Sequence, residues 1–260
     1  MSSSYLRKHF QHKETIVTIL ACDSKYILEG ERSILNVRSE IERFISIDPL
    51  FEVTLEPYIP VHKSFIKSGS HYFSKEFPAV SAMINAGIDV GTGPMSAVAG
   101  VISEYAINSM KKAGAKFAVV DNGGDIVLYN SPKSEIDSFV VGIYANESLF
   151  SNYGFLLKQS ESNLSICTSS GTVGHSISFG ISDAAIVFSS DAAISDAAAT
   201  ELGNLLREPG AENIKQALNS IIKIDRVKGA VLIKDNEFGT VGQIPEIVSV
   251  NMKPDIITKG

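Results

Sequence analysis

Asp196 and Thr200 lie four residues apart in the segment Asp191-Ala-Ala-Ile-Ser-Asp196-Ala-Ala-Ala-Thr200-Glu-Leu-Gly-Asn204. On a helix that spacing stacks two side chains on one face, with Cβ atoms roughly 5–6 Å apart. A carboxylate and a hydroxyl so placed can both reach a hard cation, and magnesium takes oxygen donors while keeping waters and phosphates in its other positions. A solvated helix face normally carries Lys, Glu and Arg. Here the neighbours are Ala192, Ala193, Ala197, Ala199 and Gly203, which let a backbone or a ligand come close. Asp191 is placed to cap the helix, and Ile194, Ala198, Leu202 and Leu205 form its expected core stripe.

Two turn segments could complete such a site. Cys167-Thr168-Ser169-Ser170-Gly171-Thr172-Val173-Gly174-His175-Ser176 brings hydroxyls, glycines and an imidazole together after the apolar run Leu164–Ile166. Glycine turns expose amides that bind anions, hydroxyls add donors, and an imidazole at position 175 is a candidate proton carrier. The bland alternative is a polar surface loop. Asp121-Asn-Gly123-Gly124-Asp125 reads first as a two-residue hairpin with capping carboxylates, and alternatively as a ligand-facing turn. A hydrolase is a rival use of the second segment, with Cys167 or Ser170 as nucleophile, His175 as base and Asp183 as its orienter. The spacing does not match a nucleophile elbow, and Cys167 ends an apolar strand where a thiol usually packs.

The elements that must position these residues follow from periodicity. Strands are expected at Thr15–Ala21, Tyr26–Glu29, Phe51–Glu56, Phe117–Asp121, Ile126–Tyr129, Phe139–Ala145, Gly154–Lys158, Leu164–Thr168, Ala184–Ser190, Gly229–Lys234 and Glu246–Val250. Helices are expected at Ser33–Ile47, Ala79–Ala86, Ser96–Ala113, Ala192–Arg207 and Ala211–Ile222, the first ended by Asp48-Pro49. The stretch from Tyr58 to Pro78, with His62 and His71, reads as a loop, a lid or a loose hairpin. Adjacent strands mixed with paired helices predict an α+β class with mixed β-sheets and packed helices.

Composition sets the outer bounds. Apolar residues make up 44% and charged residues 20% of 260, which excludes disordered and fibrous classes. That length suits one domain, residues 1–260. A net charge of −6 without a clustered basic face argues against a nucleic-acid partner. The apolar run Ile16–Cys22 is too short to span a membrane, and no export signal or disulfide framework is evident, so a cytoplasmic location is expected. The small-residue helix Ser96–Ala113 could pack within the chain or against a second copy in a homodimer.

Several of these motifs together resemble the ApbE family of FAD:protein FMN transferases. Ser195-Asp196-Ala197-Ala198-Ala199-Thr200 is similar to its alanine-aspartate-alanine-x-alanine-threonine motif. Thr168-Ser169-Ser170-Gly171 resembles its threonine-serine-glycine turn, and Asn122-Gly123-Gly124-Asp125-Ile126 its glycine pair. His175 sits where the family has a histidine. The chain looks closest to a shorter ApbE-like branch, through Glu40–Ile45 with Asp48-Pro49, Gly93–Gly100, Cys167–Gly180 and Ser195–Asn204. Departures are Ala99-Gly100 in place of a lysine-glycine pair, and no counterpart of the family's N-terminal flavin-contacting segment before Ser81.

The resemblance implies a single ApbE-like domain that binds FAD or another nucleotide with Mg2+ and passes a flavin phosphoryl group to a protein acceptor. Asp196 and Thr200 would hold the metal. Gly123, Gly124, Asp125, Thr168, Ser169, Ser170 and Gly171 would line the nucleotide, and His175 would be the catalytic base or orienter. The alternative is a flavin- or nucleotide-phosphate-binding protein that keeps the fold and has lost FMN transfer.

Overall fold

A computed structural model describes residues 5–60, 73–143, 149–170 and 180–250. Its centre is an eight-stranded antiparallel sheet in the order β1-β2-β3-β4-β7-β8-β9-β10. These strands are β1 (Leu6–His12), β2 (Thr15–Ala21), β3 (Phe117–Asn122), β4 (Asp125–Asn130), β7 (Leu164–Ser169), β8 (Ala184–Ser189), β9 (Val227–Lys234) and β10 (Glu237–Gly242). A second antiparallel sheet, ordered β11-β6-β5, is built from β5 (Ser138–Gly142), β6 (Tyr153–Lys158) and β11 (Glu246–Ser249). With the helices this is the α+β architecture expected.

The large sheet is covered on both faces, which is why its inner strands are apolar on both sides rather than alternating. Val17, Ile19, Val120 and Val127 face α1 (Ser24–Ile47), α3 (Pro78–Val90) and α4 (Val98–Lys112). Val119, Leu128, Ile166, Phe188 and Val231 face Phe155 and Leu157 of the small sheet. A third cluster seats α5 (Ala192–Leu205) and α6 (Ala211–Ile221) on Cys167, Val187, Ala230 and Leu232. The small residues of α4 are used inside the chain, against α1 and α5.

Two expected strands are helical. Tyr26–Glu29 belongs to α1, because Asp23 caps the helix by accepting from Lys25 N at 2.9 Å. The buried series Ile27, Gly30, Ile34, Val37, Ile41, Phe44 then continues at helical spacing from the first turn. Phe51–Glu56 gives way to one helical turn, α2 (Leu50–Val53), which swings Phe51 edge-on to Phe44 with ring centroids 4.9 Å apart. The helix does end at Asp48, whose Oδ2 accepts from Tyr58 Oη at 2.6 Å. Strands β1 and β10 went unforeseen: both are edge strands with little buried surface, so neither carries an apolar pattern. His62 and His71 lie outside the described residues.

Helix α3 begins at a proline with no side-chain cap of its own. Glu40 of α1 supplies one across the interface, its Oε1 accepting from Ala79 N at 2.7 Å and Val80 N at 3.0 Å. We expect Glu40→Ala to lower the unfolding free energy by about 1–3 kcal/mol, since two amides lose their acceptor. Glu40→Gln, which keeps an acceptor oxygen, should recover most of it; urea unfolding of the three proteins is the check.

Candidate functional site

The hairpin joining β3 to β4 turns on two residues, Gly123 at φ 67° and Gly124 at φ 105°, with Asn122 paired to Asp125. Only glycine holds both angles cheaply. Asp121 Oδ1 accepts from Gly124 N at 3.0 Å, so one of the bracketing carboxylates does cap the turn. The other, Asp125, reaches across to β7, its Oδ1 accepting from Thr168 N at 3.2 Å. The turn is a tight hairpin, and the Asp125 that follows it reaches Thr168 of β7.

From below, α5 delivers Asp196. Asp191 caps the helix, Oδ1 accepting from Ile194 N at 3.1 Å, and Glu104 of α4 accepts from Ala192 N at 2.9 Å. Asp196 is only 8% exposed, and its Oδ2 accepts from Gly100 N at 2.7 Å. Thr200, one turn on, is partly exposed. The core stripe is shorter than expected: Leu205 is largely exposed, and Leu206, just past the helix end, is buried instead. The helix itself is buried on nearly every side from Ala192 to Ala199, so Asp196 does not sit on a wet face.

Cys167 lies between the two carboxylates. Its thiol is fully buried, accepts from Ser195 Oγ at 3.1 Å, and lies 3.9 Å from Ala192 O. Burial pushes that thiol well above its ordinary value, and the charges of Asp125 and Asp196 push it further. A protonated, enclosed thiol is a poor nucleophile, which counts against the hydrolase reading. Asp183, the orienter in that reading, is engaged elsewhere, accepting from Asp235 N at 2.6 Å and Lys234 Nζ at 3.4 Å.

The electrostatics of the pair are unusual. Asp125 keeps some solvent contact, yet its dense surround pushes its carboxyl up to about 7; Asp121's charge adds to this, while the Thr168 amide and Cys167 thiol pull it down. Burial holds Asp196 well above the ordinary carboxylate range, and the charge of Asp125 acts the same way against the Gly100 and Ala99 amides. Among the described residues, no lysine, arginine or histidine forms an ion pair with either carboxylate. Nor is any group of three or more histidine, cysteine and acidic side chains among the described residues placed to hold a metal ion.

The structure therefore brings together the Gly123-Gly124 turn, Asp125, Thr168, Cys167 and Asp196, while Ser169 is buried in β7 and Ser170 and Thr200 are partly exposed. Gly171 and His175 lie outside the described residues. Two residues named in the motifs but not among the expected site residues, Gly100 and Asn122, also shape this region. Gly100 lets α4 meet α5, since a Cβ there would fall 2.2 Å from Ala192 O and 2.8 Å from Asp196 Cβ. Asn122 Nδ2 donates to Ala99 O at 3.4 Å, tying the glycine hairpin to α4. A cavity of about 580 Å³ opens beside this tie and includes Ala99 and Asn122 in its lining, but neither Asp196 nor Thr200.

The α+β fold has known counterparts. A family model described as AbpE bacteria matches residues 1–234, and the chain belongs to that family. A UPF0280 protein of Methanococcoides burtonii is 46% identical over 258 residues, covering 98% of this chain and 100% of that one. Another, from Archaeoglobus fulgidus, is 39% identical over 256 residues, covering 98% and 99%. Among solved structures, the apo flavinyl transferase ApbE of Pseudomonas stutzeri superposes with a TM-score of 0.52 at 12% identity, over 99% of this chain and 98% of that one. The ApbE protein of Thermotoga maritima gives 0.52 at 12% identity, over 99% and 100%. These likenesses show the fold. Among the described residues, no helix is long and apolar enough to cross a membrane.

Two predictions follow from the geometry. Gly100→Ala should cost about 2–4 kcal/mol in denaturant unfolding, because the methyl meets backbone that cannot yield without parting α4 from α5. The second concerns pH. A carboxyl raised in the folded state stabilises the fold below its unfolded value near 4, and that contribution is lost as pH rises through about 7. In chelator, Asp125→Asn should therefore gain stability relative to the native protein between pH 5 and pH 8. Equal pH profiles for the two proteins would contradict the assignment.

Proposed function

We propose that the chain is a magnesium-dependent transferase of a flavin or another nucleotide, acting by phosphoryl-group transfer. The observation that carries this reading is the pair of acids, Asp125 half-buried and Asp196 buried, which accept from main-chain amides, flank the Cys167 thiol and have no cationic partner among the described residues. Asp196 and Thr200 would hold Mg2+, with Asp125 facing it from the hairpin. A cation in that position would neutralise a pyrophosphate, which is most of what such chemistry asks of a protein.

The protein's own residues then have distinct tasks. The turn at Gly123-Gly124 brings main chain close enough to line a diphosphate without side-chain obstruction. Thr168, Ser169 and Ser170, continuing to Gly171, offer hydroxyl and amide donors to its oxygens. With FAD as substrate, the bond between the flavin-side phosphorus and the bridging oxygen breaks, and AMP leaves with that oxygen. A bond forms from the same phosphorus to a serine or threonine hydroxyl of a protein acceptor, whose proton passes to a base, the role assigned to His175. The two free cysteines, one buried and one exposed, suit a reducing cytoplasmic setting.

A second reading, a phosphate-binding protein without transfer activity, is favoured by one feature. Position 99 is alanine where the resembling transferases carry the lysine of their lysine-glycine pair, so α4 brings no cation there. One assay separates the two. Incubated with FAD and Mg2+, with water or a threonine-bearing protein as acceptor, the native chain should release AMP, measured chromatographically. Chelator or Asp196→Ala should cut that release by at least about 100-fold, the scale for losing a charge stabiliser in a preorganised site. FAD binding that needs Mg2+ but yields no AMP would select the binder; AMP release that survives in Asp196→Ala would discard the metal assignment.

A further inference from the structure

Helix α5 carries Asp196, yet little on its sides fixes where it sits along its axis. Ala192, Ala193, Ala197, Ala198, Ala199 and Gly203 are all buried, and methyl groups interlock less deeply than long side chains. Its position then depends on how its ends are held. At the N-terminus, Asp191 and Glu104 accept from amides of the first turn. A third group, Arg226, holds Asp191 itself, its Nη1 donating to Asp191 Oδ2 at 2.6 Å. Its Nη2 donates to Asp89 Oδ2 at the end of α3. One guanidinium thus joins the start of α5 to the end of α3.

Arginine is an unusual residue for the backbone it occupies there. Arg226 is third in a turn closed by Val227 N donating to Ile224 O at 3.2 Å, and its φ is 70°, where glycine or asparagine is usual. Among the described residues, the other non-glycine positions with positive φ, Lys13 and Asp235, sit in two-residue hairpin turns. The Arg226 turn is instead seated against α5: Ser189 Oγ donates to Arg226 O at 2.8 Å and accepts from Asp191 N at 3.0 Å. A single ion pair on a side chain 40% exposed would contribute little. Here one guanidinium meets acids of two helices while its own main chain is held. Glycine would suit the turn and leave those acids unjoined, so the side chain is what the position gains from arginine.

Both acids belong to the chain segments that meet at Asp196. Asp191 begins the helix that carries it. Asp89 ends the helix whose following turn, through Gly91 and Gly93, leads into α4 and so to Gly100. Gly100 is third in α4 and has no acceptor in its own helix; its N–H donates to Asp196 Oδ2 at 2.7 Å. We propose that Arg226 is a positioning residue of the site, which ties α3 to α5 and thereby fixes Asp196 against the Gly100 amide. The proposal rests on the reading above only for the use made of that carboxylate.

Amide hydrogen exchange reads the Gly100–Asp196 bond with no ligand present. In Arg226→Gly, the Gly100 N–H should exchange at least about tenfold faster than in the native chain, the scale of one hydrogen bond to a charged group. Amides of the small sheet should stay within about twofold, since only a local restraint is lost. Arg226→Lys, which reaches one acid at a time, should fall between. Arg32→Met, which removes an exposed ion pair with Glu29 on α1, should leave Gly100 as it was. Should Arg226→Gly fail to fold, Asp89→Asn keeps the turn and the Asp191 cap and should still speed Gly100 exchange. Native exchange at Gly100, or equal acceleration at Gly100 and in the small sheet, overturns the proposal. In the AMP assay, Arg226→Gly should lower kcat about 10- to 100-fold and change KM for FAD less than about threefold, as expected of a misplaced group. Faster Gly100 exchange in a chain whose native form releases no AMP keeps the positioning role and discards the transferase reading; AMP release with native Gly100 exchange does the reverse.

Discussion

A carboxylate taken out of water needs hydrogen-bond donors or a counter-charge, and two close together need more of both. Among the described residues, Asp125 and Asp196 have hydrogen-bond donors and no counter-charge. Gly100 N and Thr168 N point at them, the Cys167 thiol sits between them, and the nearest other charge acting on Asp125 is a third acid, Asp121. In a protein of marginal stability such a pair is a cost borne by the rest of the fold. It is understandable where a cation or a charged ligand completes the site, and hard to account for as packing alone.

What makes the pair feasible is the way α5 is enclosed. Alanines at positions 192, 193, 197, 198 and 199 are all buried, so α4, β7 and β8 close on the helix from several sides. Small residues allow that approach, and they also bring the Gly100 amide to Asp196. The start of the helix is fixed twice, by its own Asp191 and by Glu104 from α4. Rigid helices on a two-sided sheet hold the carboxylate, while the hairpin and the strand end bring the main chain to meet it. The chemistry-bearing groups thus come from three separate stretches of sequence, and each is placed by an element whose own reason for existing is packing.

Much of this was legible from residue types. The alanine-rich helix with Asp196 and Thr200 could be read because spacing on a helix is fixed, and the paired glycines because two consecutive positive φ angles demand them. The Asp125–Thr168 bond was not, since it joins positions 43 apart through sheet pairing that local pattern does not specify. Nor was the start of α1: Tyr26, Ile27 and Leu28 look strand-like in isolation, and only the Asp23 cap and the series to Phe44 make them helical. Phe51 failed for a similar reason. Its pattern suggested a strand, and packing against Phe44 and Tyr58 turned it into a helical corner. Edge strands β1 and β10 carry no core face, so nothing in their composition could announce them.

The substitution of alanine in the lysine-glycine pair separates two roles that the pair combines. Glycine at position 100 is required by sterics, because a side chain there collides with Ala192 and Asp196 in any protein that packs α4 and α5 this closely. Position 99 is under no such constraint. Ala99 lines the cavity beside Asn122, so a lysine there would project toward that space and fill part of it. With alanine the space stays open, and positive charge reaches the same cavity from the opposite wall, through Lys13 and Arg38, each tethered by glutamates. The glycine of the pair is thus explained by helix packing alone, whatever residue stands at position 99.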